Sequence, residues 1–307
     1  MTKESLQALV EDFSDNSPLN FVAARGSSAG DINANNYYRD NLLFRGMTAE
    51  MFGADEESGL IGMRFYRHPI FSVTRADNPG FLEIKKPEVV GGHHFLPHDW
   101  LPGAKTVISI FLPFEKATVE ANKKTLVEPA LEWVYTRVDG QQFLLALGAL
   151  VKDELKKAGF DSVSPYTDER FVMNTNPTPE PDKGNCPPYS TNWSERHVGV
   201  VCGLGTFGMS TNFISKVGAA GRLVSVVTEW DIPADEADYD DWLGYCNKCG
   251  LCVKNCPADA FYTDRHGKNH ETCSMYIRKA CQKFAPRYGC GKCQSGLPCD
   301  YKPMKPA

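Results

Sequence analysis

The sequence predicts an α/β (α+β) protein with two domains, at residues 1–235 and 236–307. Strand-like and helix-like segments alternate up to about residue 235, as expected for an α/β domain. Nine of the eleven cysteines then lie between Cys246 and Cys299. The stretch Asp231–Asp241 is acidic and aperiodic, and we interpret it as the linker between the two domains.

The first domain begins with apolar residues at helical spacing in residues 3–13, which predict a short amphipathic helix. Residues 15–100 are rich in Gly, Asn, Pro and aromatic residues, and are predicted to be irregular. Residues 106–112 predict a buried strand, and residues 129–158 predict one long helix that ends at Gly159. Strands are expected to begin at Ser162 and to cover 222–230, with a helix between them that ends at Gly203.

Composition narrows the class of protein. The hydrophobic fraction of 42% and the charged fraction of 23% are typical of soluble globular proteins. The sequence has neither an apolar run of roughly 18 residues nor a signal sequence, so we expect a cytoplasmic protein without membrane contact. From Pro257 onward the chain carries nine Lys or Arg against four Asp or Glu. This basic part could balance anionic clusters or bind an acidic electron donor, whereas nucleic-acid binding is poorly supported.

The cysteine spacing gives the strongest chemical signal. Cys246-x2-Cys249-x2-Cys252-x3-Cys256-Pro257 matches the bacterial ferredoxin run, in which the fourth cysteine binds the second of two [4Fe–4S] clusters. A zinc site or disulfides are the alternatives, and this spacing favours neither. Two clusters need eight thiolates, so four of the remaining five cysteines are required. Cys290-x2-Cys293 is a clear pair, and the spacing leaves the choice between Cys273 and Cys281 open.

Residues 203–208 contain a GxGxxG pattern. A dinucleotide site is weakly indicated, because a helix precedes the pattern instead of following it. The alternative is a tight turn in which glycine supplies conformational freedom.

Four stretches of this chain resemble one family: LPGAKTVISIFLPF, SERHVGVVCGLGTFGMSTNFIS, YCNKCGLCVKNCPADAF and RYGCGKCQSGLPC. They are similar to the epoxyqueuosine reductase and reductive dehalogenase superfamily, over roughly residues 100–300. The resemblance implies a nitroreductase-like cobalamin-binding core followed by a ferredoxin-like domain with two [4Fe–4S] clusters. It also implies a base-off cobalamin without a protein histidine ligand, and the sequence indeed lacks a DxHxxG motif.

The resemblance implies two ligand sets and leaves Cys281 spare. Cluster one would take Cys246, Cys249, Cys252 and Cys299. Cluster two would take Cys256, Cys273, Cys290 and Cys293. One departure is the final spacing, Cys293-x5-Cys299, where epoxyqueuosine reductases usually have x3.

The resemblance also places the glycine segment against the corrin ring, with Gly203, Leu204, Gly205, Thr206 and Gly208 as the cofactor-binding residues. Epoxyqueuosine reductases have a catalytic aspartate six residues before a Glu-Arg pair. In this chain that position is Tyr189, the candidate proton donor, and the difference puts queuosine chemistry in doubt.

Four other polar positions carry weaker expectations. Glu195 and Arg196 are expected to form a structural ion pair. His93 and His94 are expected to lie in an exposed loop or on the substrate side.

The favoured function is therefore a reductase that passes single electrons through two clusters to cobalamin, which reduces a small substrate. The alternatives are a reductive activator of a partner methyltransferase's corrinoid and a cobalamin-free electron carrier. A low-potential ferredoxin or flavodoxin would be the donor. Epoxyqueuosine in tRNA is the weaker substrate, because the chain is acidic overall and lacks the helical repeats that many such enzymes append.

Overall fold

The computed structural model describes residues 1–27, 47–179, 183–263 and 265–305, and only the backbone of Cys281. Its strands are β1 Ile70–Arg75, β2 Thr106–Pro113, β3 Ser162–Val163, β4 Met173–Asn174, β5 Ser190–Thr191, β6 Gly205–Phe207, β7 Phe213–Ser215 and β8 Gly221–Thr228. Its helices are α1 Lys3–Asn16, α2 Gly80–Ile84, α3 Pro97–Trp100, α4 Lys116–Lys124, α5 Leu131–Val138, α6 Gly140–Lys157, α7 Glu195–Val201, α8 Leu251–Lys254 and α9 His270–Phe284.

A four-stranded sheet in the order β1-β2-β8-β3 forms the centre of the fold. All its pairings are antiparallel, and the longest one pairs Thr106 with Thr228 and Pro113 with Gly221 at its two ends. All eight residues of β2 are buried, because helices and loops cover both faces of the sheet. The predicted mixture of helices and strands is confirmed, and so are the strands at residues 106–112 and 222–230.

Two elements differ from the sequence prediction. The helix expected at residues 129–158 is divided into α5 and α6, which meet at Asp139. The carboxylate of Asp139 is buried there and accepts a hydrogen bond from the backbone N–H of Gly53 at 2.8 Å. Within the stretch predicted to be irregular, β1 forms an edge strand of the sheet, while residues 28–46 of that stretch lie outside the description.

The acidic stretch at residues 231–241 has no regular secondary structure, but its conformation is fixed by side-chain contacts. The carboxylate of Asp235 accepts hydrogen bonds from the backbone N–H of Val73 at 2.9 Å and from Lys3 Nζ at 2.7 Å. This contact places the cysteine-rich part of the chain beside the sheet. The division into domains at residue 235 stays a prediction. No helix in the described part of the chain is long and apolar enough to cross a membrane.

Candidate metal centre and adjoining cleft

The first group of cysteines surrounds a small cavity between the β6–β7 hairpin and the loop that leads into α8. Its lining includes Cys246, Cys249, Cys252 and Cys299, and also Cys293. Local backbone geometry builds this loop. Gly250 has a φ of 75° at the start of α8, and the backbone N–H of Lys248 donates to Cys246 Sγ at 3.4 Å. The structure therefore brings together the four cysteines that the resemblance assigns to cluster one.

The second group lies at the floor of a much larger cleft of about 1080 Å³, which Cys256, Cys273, Cys290 and Cys293 line. Burial raises the pKa of Cys290 to about 12, and the neighbouring Cys293 and Cys273 add to this effect. Buried thiols become good ligands only when a cation favours their thiolate form. Because Cys293 lines both cavities, the two cysteine groups are adjacent.

The thiols of each group stand around a space and do not converge on a point. Within the described ranges, no three His, Cys, Asp or Glu side chains are close enough to hold a single metal ion. Backbone N–H groups also face the sulfurs, since Ala260 N donates to Cys256 Sγ at 3.4 Å. Such hydrogen bonds tune the potentials of iron–sulfur clusters.

Two residues that the sequence analysis missed hold the Cys290–Cys293 turn in place. Asn122, at 0% exposure, donates to the carbonyl of Cys290 at 3.1 Å. The buried ammonium of Lys292 donates to the carbonyl oxygens of Asn122 and Thr125, both at 2.6 Å. These bonds tie the turn to the end of α4. No spacing signal identifies them, because both partners are distant in sequence.

The cleft walls are aromatic and basic. Aromatic side chains along the cleft include those of Trp133, Tyr166, Phe207, Phe213, Trp242 and Tyr288. Basic side chains come from Arg137, Arg196, Arg222, Lys268 and Lys292, whereas Glu88 and Glu195 are the acidic residues in the lining. The cleft volume lies slightly above the range of about 300–1,000 Å³ for sites that bind drug-sized molecules.

Tyr189 lies in this cleft with unusual backbone geometry. Its φ is 59°, in the left-handed region that bulky residues rarely adopt and that often marks functional sites. Its ring stacks on His270, with ring centroids 5.8 Å apart and planes 24° apart. Burial lowers the pKa of His270 to about 4, helped by Lys268 and Arg196. The neutral imidazole thus supports the tyrosine ring without adding charge.

The expected ion pair between Glu195 and Arg196 is wrong. Arg196 Nη1 donates to the carbonyl of Thr211 at 2.7 Å. Glu195 is buried, and neither of its carboxylate oxygens has a hydrogen-bond partner among the residues that the structure describes. Burial raises the pKa of Glu195 to about 8, although Ser225 lies near enough to oppose the effect. The side chains of Glu195 and Arg196 therefore lie in different environments and do not pair.

The two histidines of the GGHHF stretch also differ from each other. His94 is fully buried, stacks on Trp193 and accepts the backbone N–H of Ser194 on Nε2 at 3.0 Å. The expectation of an exposed loop is therefore wrong for His94. His93 is half-buried, and its Nε2 lies 2.7 Å from the hydroxyl of Ser190, beside Tyr189.

The glycine segment is packed inside the protein. Gly203 ends α7 with a φ of 77°, and Leu204 and Thr206 are buried. A Cβ on Gly205 would lie 2.2 Å from the carbonyl oxygen of Ile214, so glycine here permits the β6–β7 hairpin. Gly208 lines the first cysteine cavity. The structure does not bring Gly203, Leu204, Gly205 or Thr206 to the cleft, which is bordered instead by neighbouring residues of the hairpin, among them Phe207, Thr211 and Phe213.

The chain is similar to several known proteins. Residues 242–262 match Fer4, the 4Fe-4S binding domain. No curated protein sequence matches the chain. The epoxyqueuosine reductase from Streptococcus thermophilus is 18% identical with a TM-score of 0.44, and the match covers 78% of this chain and 65% of that one.

Two further solved structures are similar at the same level. An epoxyqueuosine reductase bound to a modified tRNA stem loop is 19% identical with a TM-score of 0.47, covering 75% of this chain and 61% of that one. A catabolic reductive dehalogenase is 11% identical with a TM-score of 0.44, covering 68% and 27%. The chain spans less than two thirds of the length of these relatives.

Proposed function

We propose that this protein is an iron–sulfur oxidoreductase of the cytoplasm that passes single electrons through two [4Fe–4S] clusters to a base-off cobalamin in the cleft. One observation carries the proposal. Eight cysteines line two adjoining cavities, and the second of these cavities is a cleft of about 1080 Å³. The match of residues 242–262 to a 4Fe-4S binding domain supports the cluster chemistry.

The proposed ligand sets follow the two cavities. Cys246, Cys249, Cys252 and Cys299 would hold cluster one, and Cys256, Cys273, Cys290 and Cys293 would hold cluster two. The thiols that act on Cys299 and Cys273 agree with this division, whereas Cys252 lies near Cys293 of the other set as well as near Cys246 and Cys249. The thiols of Cys252 and Cys246 help to raise the pKa of Cys299. Those of Cys293 and Cys256 help to raise the pKa of Cys273. Cys281 would then be spare.

The residues of the cleft fit a large flat cofactor. The cleft of about 1080 Å³ is lined by several aromatic rings, and half-buried Thr211 and buried Phe207 of the β6–β7 hairpin also line it. These side chains would hold the corrin ring, and bound cobalamin would supply the strongly reducing cobalt centre. Gly203, Leu204, Gly205 and Thr206 would support the hairpin from behind and not touch the ring itself.

Tyr189 would be the proton donor to a small substrate held above the cofactor. It lines the same cleft, its strained backbone fixes its position, and stacking on His270 limits the rotation of its ring. A general acid needs to be positioned at the reacting group before its pKa matters. We therefore assign Tyr189 the proton and the cysteine groups the electron supply.

A second candidate function is favoured by the buried glycine segment. Because Gly203, Leu204, Gly205 and Thr206 lie away from the cleft, the cleft could receive the corrinoid of a partner protein instead of a resident cobalamin. The chain would then be a reductive activator. A cobalamin-free electron carrier is a third reading, in which the cleft has no role.

Iron and cobalamin content distinguish these functions. Protein reconstituted anaerobically should contain about eight iron atoms per chain, as two cubanes require, and should retain one cobalamin through gel filtration. Retained iron without cobalamin would contradict the reductase and favour the activator. About four iron atoms per chain would contradict the second ligand set.

A further inference from the structure

The first cysteine group reaches the protein surface on one side. Cys249 is exposed, and so are its neighbours Lys248, Leu251 and Lys254. Leu251 is an apolar side chain with 37% exposure. We call these four residues the Cys249 face.

No cysteine of the second group is exposed, since Cys256, Cys273, Cys290 and Cys293 are all half-buried. Cys273 is half-buried on α9, whose inner side also brings Tyr276 and Ile277 to the cleft. The cysteines of the second group line the cleft, where the proposed substrate and cofactor bind. Electron transfer slows steeply with distance, so an electron carrier outside the protein would reach the first group more easily. Cys293, which lines both cavities, then connects the first group with the second.

The charge of the Cys249 face is positive. Neither Lys248 nor Lys254 forms an ion pair with another residue that the structure describes, and the same holds for Lys302. Lys302 is two residues from Met304, which lines the first cavity beside Cys249. Lys305 on the same tail is paired with Asp238 at 2.9 Å and contributes little free charge. An exposed leucine among unpaired lysines is suited to a small, transient interface with an acidic protein.

We infer that the Cys249 face is the docking site for a small acidic single-electron carrier protein. The inference depends on the proposed function, because it requires a cluster in the first cysteine group. In the encounter the reduced carrier loses one electron and the cluster gains it. No bond forms or breaks, and no proton needs to move. Lys248 and Lys254 orient the carrier, and Leu251 excludes water from the centre of the contact.

The test uses the reconstituted protein and an acidic two-iron ferredoxin as the probe. The double variant Lys248→Glu, Lys254→Glu should slow reduction by this ferredoxin about tenfold or more at low salt, because reversed charges repel the carrier. It should weaken ferredoxin binding in calorimetry to a similar extent. Both effects should shrink at high salt, where surface charges are screened. Reduction by dithionite at high salt, where its negative charge is screened, should keep its wild-type rate, because this small reductant needs no docking site.

The matched control is Arg278→Glu, Lys279→Glu, which reverses two exposed charges on α9 and should change neither quantity. The inference is overturned if this control slows the ferredoxin reaction while the Cys249-face variant does not. It is also overturned if the Cys249-face variant binds ferredoxin as tightly as the wild type. Failure of the proposed function looks different, because wild-type protein would then hold no cluster that dithionite can reduce.

Discussion

Arg287 donates hydrogen bonds from Nε and Nη2 to the two carboxylate oxygens of Asp139, at 2.6 and 2.7 Å. Both side chains are almost completely buried, at 4% and 7% exposure. Arg287 also packs over the ring of Tyr135 and donates to the carbonyl of Gly53. This pair fastens the segment after α9, which leads into Cys290, to the junction of α5 and α6.

We predict that Arg287→Met lowers the free energy of unfolding by about 3–5 kcal/mol, because it leaves the Asp139 carboxylate buried without its partner. Urea unfolding under anaerobic conditions, followed by tryptophan fluorescence, measures the loss. The control is Lys283→Ala, which removes an ion pair with Glu128 in which both side chains are more than half exposed. That loss should stay below about 1 kcal/mol. Equal losses in the two variants would show that the buried pair has no special role.

Protein stability should fall as the pH drops below about 6.5, partly because of His94. Burial lowers the pKa of His94 to about 3, while the unfolded chain binds the proton near pH 6.5. Unfolding therefore takes up a proton in this window, and stability is lost as the pH falls, by up to about 1.4 kcal/mol per pH unit for one histidine. His197 and His270, with pKa values lowered by burial to about 3 and 4, act in the same direction.

The variant His94→Gln keeps an acceptor for the N–H of Ser194 but cannot be protonated. Its thermal midpoint should decline less than that of the wild type between about pH 7 and pH 5.5. Circular dichroism melts at both pH values give the comparison. If the two proteins decline in parallel, His94 does not contribute to the acid sensitivity.

Tyr189→Phe should reduce turnover by at least about 100-fold, the usual contribution of a positioned general acid. The cluster absorption and the cobalamin content should stay unchanged, since the ring is kept and only the hydroxyl is lost. Oxidation of reduced methyl viologen, assayed with a panel of small epoxides and halogenated phenols, reports turnover. The control is Tyr276→Phe, whose hydroxyl lies in the same cleft lining but donates to the carbonyl of Val127. A Tyr189→Phe protein with full activity would remove Tyr189 as the acid.

Cys273→Ser and Cys281→Ser should separate the two candidates that the spacing leaves open. Cys273 lies among the thiols of the second group, so its replacement should lower the iron content from about eight to about four atoms per chain. Cys281→Ser should keep about eight. Iron analysis of anaerobically reconstituted samples decides between them, and the reverse pattern would exchange the two ligands.

The sequence predicted most of the central sheet and the cysteine run that matches a 4Fe-4S binding domain. The β2 and β8 strands have short apolar runs rich in β-branched residues, which favour a buried strand, and the cysteine run from Cys246 to Cys256 has a spacing with few other uses. A local sequence pattern therefore suffices to predict an element or a motif when all of its characteristic residues lie in one segment.

Long-range contacts explain what the sequence did not reveal. Asp139 divides the predicted long helix, and its partners Gly53 and Arg287 are far away in the chain. Gly205 belongs to a glycine-rich segment of the kind found in ligand-binding loops. Glycine is required there because a Cβ would lie 2.2 Å from the carbonyl oxygen of Ile214. Glu195 and Arg196 are adjacent in sequence, but a helix directs successive side chains to different sides. None of these contacts produces a periodic pattern in the sequence.

Electron paramagnetic resonance of partly reduced, cobalamin-loaded protein tests the central claim most directly. If cluster two lies at the floor of the cobalamin cleft, the signal of paramagnetic base-off cobalamin should be broadened by magnetic interaction with a reduced cluster. The Cys273→Ser protein should lose that broadening. A sharp cobalamin signal that is the same in the wild type and in Cys273→Ser would contradict the account, because the two centres would then not share the cleft.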